Sequence, residues 1–562
     1  MSETSLSESD FAVVQAYHER TKHRLTKYAA GPDTLDWDAQ PDPFRRYAGA
    51  PLTPLPLKAD ELTTRWADLF EPGRIAPHAL NVEAIGLLFE LSFALSAWKQ
   101  FGPDRWAVRV NPSSGNLHPT EAWLVCRGVT DINSGIHHYA PREHALEQRA
   151  SFAPQPDAAT ARAFVALTSI QWREAWKYGE RAFRYCQLDV GHAIGALRYA
   201  AAVLGWQLQP VASSSVELAA LLGLDREADF GKAEREEPDV LFELLPGDTA
   251  AASDRPFDWP APSQWQGTAN RLDRHPMYRW PVIDAVTTAS QTFTTNSAAT
   301  SQDNIMARGL KHSISSTSDL DQDNALPRST QPAATLIRQR RSAQRFEARA
   351  RMPVAQLWLL LQALHPARLP FDAWPMDARV HVLLFAHRVD GLAPGAYLLP
   401  RSVAGADLLR QTLPAALDLS PVADAPLDAP LLMISENPAL AGTLRTLNCH
   451  QALGSDAILG FALLAEFNPL PDAAYRQRFQ EAGLIGQVLY LEAEARGLRG
   501  TGIGCFFDDA LHELIGLPQP AASAPLQSVY HFTVGAAVQD ARIATEPPYA
   551  HLISRQEGVD HG

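Results

Sequence analysis

Helically spaced apolar positions alternate with short apolar runs over residues 60–250. The runs AWLVC (122–126) and VLFELL (240–245) have the length and β-branched or aromatic content of strands. Strands interleaved with amphipathic segments predict an α+β domain. The most apolar helical stretch, Ala84 to Trp98, is broken by Glu90 and two serines. It is shorter than the roughly 20 residues a membrane span needs, so it predicts a buried core helix. Residues 1–59 read as an N-terminal arm. A short helical pattern gives way to LDWDAQPDPFRRYAGAPLTPLPL, whose prolines forbid long helices and favour extended wrapping.

Between 285 and 332 the pattern dissolves into TTASQTFTTNSAATSQDN and SISSTSDLDQDNALPRSTQ. Ser, Thr, Asn and Asp at that density predict a linker. The preceding segment, 251–284, keeps several large aromatics and is expected to pack on a domain. A second domain is expected over 333–562.

Beyond the linker the pattern of the first half returns. Arg184, Asp189, Gly191 and Gly205 recur, at the same spacings, as Arg476, Glu481, Gly483 and Gly497. Each set marks a helix with an Ala-rich face and a glycine beyond its end. Earlier in each half a strand-like run meets a Gly-aromatic hairpin, GIHHY at 135–139 and PGAYLL at 394–399. A duplicated domain explains both correspondences.

Charge and cysteine usage narrow the function classes. A formal net charge of -14 argues against nucleic acid. The cysteines Cys126, Cys186, Cys449 and Cys505 form no Cys-x-x-Cys pair, so neither zinc nor a disulfide framework is expected. The acidic opening, MSETSLSESD, lacks the features of a signal peptide. The expectation is a cytoplasmic protein with no metal, membrane or nucleic-acid partner.

Three segments carry candidate chemistry. Arg338-Gln-Arg-Arg-Ser342, ahead of the apolar helix Val354 to Leu364, supplies guanidinium forks and a hydroxyl suited to a phosphate. By itself it equals a solvated basic face beside a linker. In the loop from Arg109 to Glu121, Pro112 and Gly115 force a tight turn, and Ser113, Ser114 and Asn116 offer polar donors. Alone, it is an ordinary loop. GLRGTGIGCFFDD (497–509) lets backbone approach a ligand closely, but it follows a helix and lacks the strand-first context of a nicotinamide-binding Rossmann turn.

Together these segments resemble one family. RRSAQRF, PSSGNLHPTE and GIGCFFDDALHELIGL resemble the nitroreductase superfamily of FMN enzymes. NPSSGNLHPTEAWLV, GIHHYAPREHALE and WKYGERAFRY resemble its SagB-type dehydrogenase branch, whose members oxidise peptide azolines. The resemblance implies two tandem nitroreductase-like domains, each an antiparallel-rich sheet flanked by helices, closing as an intramolecular pseudo-dimer that needs no second chain. It implies that Arg338, Arg340, Arg341 and Ser342, with Arg542, hold the phosphate and ribityl end of FMN. Pro112, Ser113, Ser114, Gly115 and Asn116 would meet the flavin from the other half, and Gly502 and Gly504 would lend backbone contacts. Lys177 and Tyr178 match the pair that such oxidases use for proton removal. Where the second half should repeat the Pro-Ser-Ser turn it reads LPFDAWPMDARVHVLL, and the first half has no Arg-Arg-Ser string. One FMN per chain is therefore expected.

The implied reaction is hydride transfer between a small-molecule or peptide substrate and flavin N5. Its alternatives are an NAD(P)H-dependent nitro or quinone reductase and a flavin- or peptide-binding scaffold without redox function. Lys177 also reads as a solvated partner of Glu174 or Glu180. His137, His138 and His192 read as structural histidines, and Cys449, in the Asn448–Gln451 cluster, as inert packing.

Overall fold

The computed structural model describes residues 8–153, 161–247, 261–291, 328–417, 419–467, 474–518 and 524–552. Within them lie two mixed helix-and-sheet halves. The first sheet runs Pro262–Ser263, Ala145–Phe152, Gly135–Ala140, Thr120–Arg127, Arg162–Ser169, Glu237–Pro246, Trp206–Pro210, with Leu52–Pro54 also pairing Ala145–Phe152. The second runs Ser420–Pro421, Leu432–Glu436, Gly395–Leu399, Val380–Ala386, Leu459–Glu466, Leu526–Gly535, Arg499–Ile503. Strand order corresponds from one sheet to the other, and neighbouring strands within each are antiparallel. The expected runs AWLVC and VLFELL and both Gly-aromatic hairpins fall on strands.

The repeated helices are Ala182–Val203 and Ala474–Glu494, with Gly205 and Gly497 at φ +68 and +70 just beyond their ends. All 22 residues of the first are buried, so it is a helix with no water-facing side. They pack on each other and form the seam between the halves. The close approach needs glycine: a Cβ on Gly191 would collide with the Gln480 carbonyl oxygen, and one on Gly483 with that of Leu188.

Further elements fasten the halves. The arm begins with the helix Glu8–Arg20, and it continues as Tyr47–Ala48, paired with Thr268–Ala269 of the segment before the linker. The C-terminal strand Ala544–Glu546 joins the first-half hairpin Leu95–Phe101 and Asp104–Arg109.

Two expectations change. The apolar stretch Ala84 to Trp98 is not one helix: Val82–Glu90 is helical, and Leu95–Phe101 is a strand. The strand pairs with its neighbour Asp104–Arg109 in a hairpin and, on its other edge, with Ala544–Glu546 some 450 residues away, and this pairing outweighs the local helical preference. Of the expected linker, residues 292–327 lie outside the described residues, while 285–289 finish the helix Pro281–Ala289. That helix is held by its buried Ile283 and Val286, and Arg476 donates to the Ser290 hydroxyl beside its end (3.0 Å). No helix among the described residues is long and apolar enough to cross a membrane.

Candidate functional site

A cleft of about 650 Å³ opens between the halves. The Arg-Arg-Ser segment enters it because the helix Ala333–Gln339 stops at Arg340, whose ψ of 129 turns the chain extended. Arg340 is 2% exposed; it donates to the carbonyls of Arg109 (3.2 Å) and Val110 (2.9 Å) and lies 5.0 Å over the Tyr490 ring. Arg341 donates to the carbonyls of Arg338, Arg340 and Ser96 at 2.6 to 2.8 Å, and no carboxylate bonds it. Burial, then its neighbours Arg340 and Arg499, pull its pKa down to about 9. Burial, Arg341 and Arg499 likewise disfavour the charge of Lys99. One end of the cleft thus gathers Lys99, Arg340, Arg341 and Arg499, with Glu494 the carboxylate nearest Arg499 (3.5 Å). Crowded, partly dehydrated cations of this kind are stabilised by a bound anion.

Opposite stands the turn of the first half. Ser114 to Asn116 form a short 3-10 turn in which Gly115, Asn116 and then His118 take φ of +58, +60 and +54. The Ser114 amide donates to both carboxylate oxygens of Asp189 (3.1 Å each) and its hydroxyl to one (3.0 Å). Asp189 comes from the buried first-half helix, and burial pushes its pKa up to about 7. The Asn116 amide donates to the Ala107 carbonyl (2.9 Å) and the Ser113 hydroxyl accepts from the His118 amide (2.8 Å). The side chains expected to greet a ligand are therefore largely spent on holding the turn, and the Ser114 and Asn116 amides are spent with them. Asn111, 2% exposed and on the cleft wall, keeps a side-chain oxygen with no partner.

The floor is built from tyrosines and glycines. Tyr490 hydrogen-bonds the Ser342 hydroxyl (2.8 Å) and accepts from the Gly502 amide (3.0 Å). His192 bonds the Tyr530 hydroxyl (3.0 Å) and is held neutral, its pKa lowered to about 3 by burial. A Cβ on Gly502 would strike the Tyr530 hydroxyl, and one on Gly504 the Tyr185 ring. On Gly115 it would lie 2.5 Å from the Tyr178 hydroxyl, so the turn, Tyr178 and the floor fit only with glycine.

Of the residues singled out from sequence, Pro112 to Asn116, Tyr178, Arg340 to Ser342, Gly502 and Gly504 line this cleft. Three stand outside the lining. Arg338 turns to Glu90 (2.9 Å) and Asp60. Arg542 bonds Asp540 (2.6 Å) with its side chain 74% exposed. Lys177 sits behind Tyr178, its ammonium 5.4 Å from that ring and 5.3 Å from Trp37. Burial lowers the Lys177 pKa, offset in part by Glu174. Glu174 is itself fully buried, its carboxyl pushed well above the usual range by burial and by Asp189. It is not the solvated partner that a charge run suggests.

Lys99, Asn111, Asp189, Tyr490 and Arg499 were missed from sequence. Only Asp189 carried a signal, as a member of the repeat. The counterpart of Asp189, Glu481, accepts from the Arg379 amide (3.0 Å) and from Arg401. Where Tyr490 stands in one helix, the other has Arg198, bonded to Asp372 (2.6 Å). Phe371, Ala373 and Trp374 are buried at the position corresponding to the turn. The pseudo-symmetric position is filled with side chains.

Residues 337–536 match the model of the Nitroreductase family. A presumptive nitroreductase of Methanocaldococcus jannaschii, MJ1384, is 27% identical over 112 residues, covering 18% of this chain and 57% of that protein. The chain thus spans a little over half the length of that relative. The crystal structure of a presumptive nitroreductase from Anabaena variabilis covers 94% of this chain and 99% of its own, with a TM-score of 0.63 at 20% identity. The second half therefore carries a nitroreductase-family domain, and the whole chain has a nitroreductase-like fold.

Proposed function

We propose that the chain is an FMN-dependent oxidoreductase of the SagB-type dehydrogenase branch, with one flavin per chain in the cleft between its halves. The observation that carries this reading is the meeting, on one cleft, of a cation cluster around the Arg-Arg-Ser segment, with Glu494 beside it, and the Pro-Ser-Ser-Gly-Asn turn of the other half. The residues fit the group. Arg340, Arg341 and Ser342, with Lys99 and Arg499, suit a phosphate dianion. The unpartnered Asn111 oxygen suits a ring N–H donor, and the glycine floor suits a flat ring.

FMN supplies, when bound, a two-electron acceptor or donor at ring N5. Tyr178, its pKa raised by burial, keeps its proton and faces the cleft as a hydroxyl donor. Lys177, with its ammonium disfavoured by burial, takes up the substrate proton behind it. The cleft admits a small molecule or an extended peptide. Domain limits of 60–250 and 333–562, with an arm over 1–59, belong to the same reading.

The test is the absorbance spectrum of the purified protein. One flavin per chain is expected, and a colourless chain that FMN cannot load overturns the reading in favour of a binding scaffold. Rapid bleaching of the flavin by NADPH alone would instead favour the nitro or quinone reductase.

A further inference from the structure

The fold brings together two cysteines that the sequence keeps 56 residues apart. Cys505 follows the strand Arg499–Ile503 and lines the cleft. Cys449 lies just past the helix Leu440–Leu447, and the two sulfurs are 2.6 Å apart. Both are free and partly exposed, whereas Cys126 and Cys186 are buried.

The contact is built into the backbone. Cys449 and His450 take φ of +51 and +63, a conformation that costs non-glycine residues roughly 1–2 kcal/mol each and persists only where the surroundings impose it. The Phe507 amide donates to the Leu447 carbonyl (2.8 Å) and the Asp508 amide to that of His23 (3.0 Å). These bonds clamp the Cys505 strand between the Cys449 turn and the N-terminal arm. The chemistry of the surroundings differs for the two sulfurs. The Cys449 contact, with His23 and Arg181 beside it, pulls the Cys505 thiol below its usual range despite burial. The Cys449 thiol is pushed up by the same contact. A thiolate on the cleft wall with a protonated thiol against it is the arrangement of an attacking and a resolving cysteine.

We propose that Cys449 and Cys505 form a redox-active dithiol–disulfide pair in the cleft wall, which exchanges with low-molecular-weight disulfides. The Cys505 thiolate attacks one sulfur of the incoming disulfide; a mixed disulfide forms at Cys505 and the first thiolate leaves. Cys449 then attacks the Cys505 sulfur. The internal disulfide forms, the external bond breaks, and the second thiol departs with the Cys449 proton. Two cysteines are oxidised and one small disulfide is reduced to two thiols. Excess small thiol reverses both steps. This pair is independent of whether a flavin occupies the cleft.

The experiment is to incubate the full chain with glutathione disulfide, alkylate it and map the thiols by peptide mass spectrometry. Wild type should lose alkylation at both Cys449 and Cys505, yield the peptide linked between them and release two glutathiones per chain. Cys449→Ser should stop at a glutathione adduct on Cys505, with one released. Cys505→Ser should react at Cys449 at least about tenfold more slowly than Cys505 reacts in wild type. Both thiols remaining alkylatable in wild type overturns the proposal, as do separate stable adducts on the two cysteines. Either variant's failure to fold leaves the wild-type map to decide alone.

Discussion

Gly191 and Gly483, equivalent members of the two halves, face each other across the seam: a Cβ on Gly483 would stand 3.1 Å from the Gly191 Cα. The repeat therefore pairs with itself, one glycine against its own copy, and the halves approach as closely as backbones allow. In an exposed helix Gly→Ala gains up to about 1 kcal/mol. Here the sign should invert. Gly483→Ala is expected to lose about 1–3 kcal/mol as the backbones are forced apart, and Gly191→Ala likewise, read by denaturant unfolding. A stabilised variant would contradict the packing.

Arg341 has carbonyls around it but no carboxylate bonded to it. Arg341→Ala should therefore weaken FMN binding by about 10–100-fold, the loss of one charge-assisted contact, as read by flavin fluorescence titration. Ser114→Ala should weaken it less, because Ser114 acts through Asp189. Arg338→Ala breaks ion pairs with Glu90 and Asp60, so its expected effect is on melting temperature rather than flavin affinity.

Lys177 and Tyr178 are expected to act on the substrate, not on the cofactor. Lys177→Met and Tyr178→Phe should keep the flavin-to-chain ratio of wild type. Substrate-driven flavin reduction should slow by about 100-fold or more, the usual worth of a positioned proton-transfer group. Stopped-flow absorbance checks this, and unchanged rates would remove the pair from the mechanism.

His138 gives the stability of the first half a pH dependence. Burial opposes its charge, but hydrogen bonds to Glu121 (3.0 Å) and Glu147 (2.9 Å) outweigh that and raise its pKa to about 9. A histidine raised from about 6.5 stabilises the fold fully below that pH and loses the contribution as pH climbs towards 9. The melting-temperature gap between wild type and His138→Gln should accordingly be wide at pH 6 and narrow at pH 9.

Much of the site could be read before the fold. Local demands, guanidinium forks for an anion and glycine for a tight turn or close approach, marked Arg340 to Ser342, Pro112 to Asn116, Gly502 and Gly504, and only the family resemblance joined these segments, which line one cleft. Lys99 and Arg499 were not legible, because nothing local distinguishes a strand cation that meets a cleft from one that meets water. Arg338 and Arg542 show the converse. They share the composition of the segment yet turn to Asp60, Glu90 and Asp540.

The sequence by itself determined the duplicated helices with their glycines, the strands and hairpins, and the three segments that line the cleft, because periodicity and turn chemistry act over a few residues. Tertiary structure alone decided that Ala544–Glu546 extends the hairpin of Leu95–Phe101 and Asp104–Arg109, and that Phe371 and Trp374, legible in place of the turn, are buried there. It alone also decided the contact of Cys449 with Cys505. Each of these depends on which distant side chain or strand edge comes within a few ångströms, and short-range interactions between remote residues leave no mark on the local pattern of either.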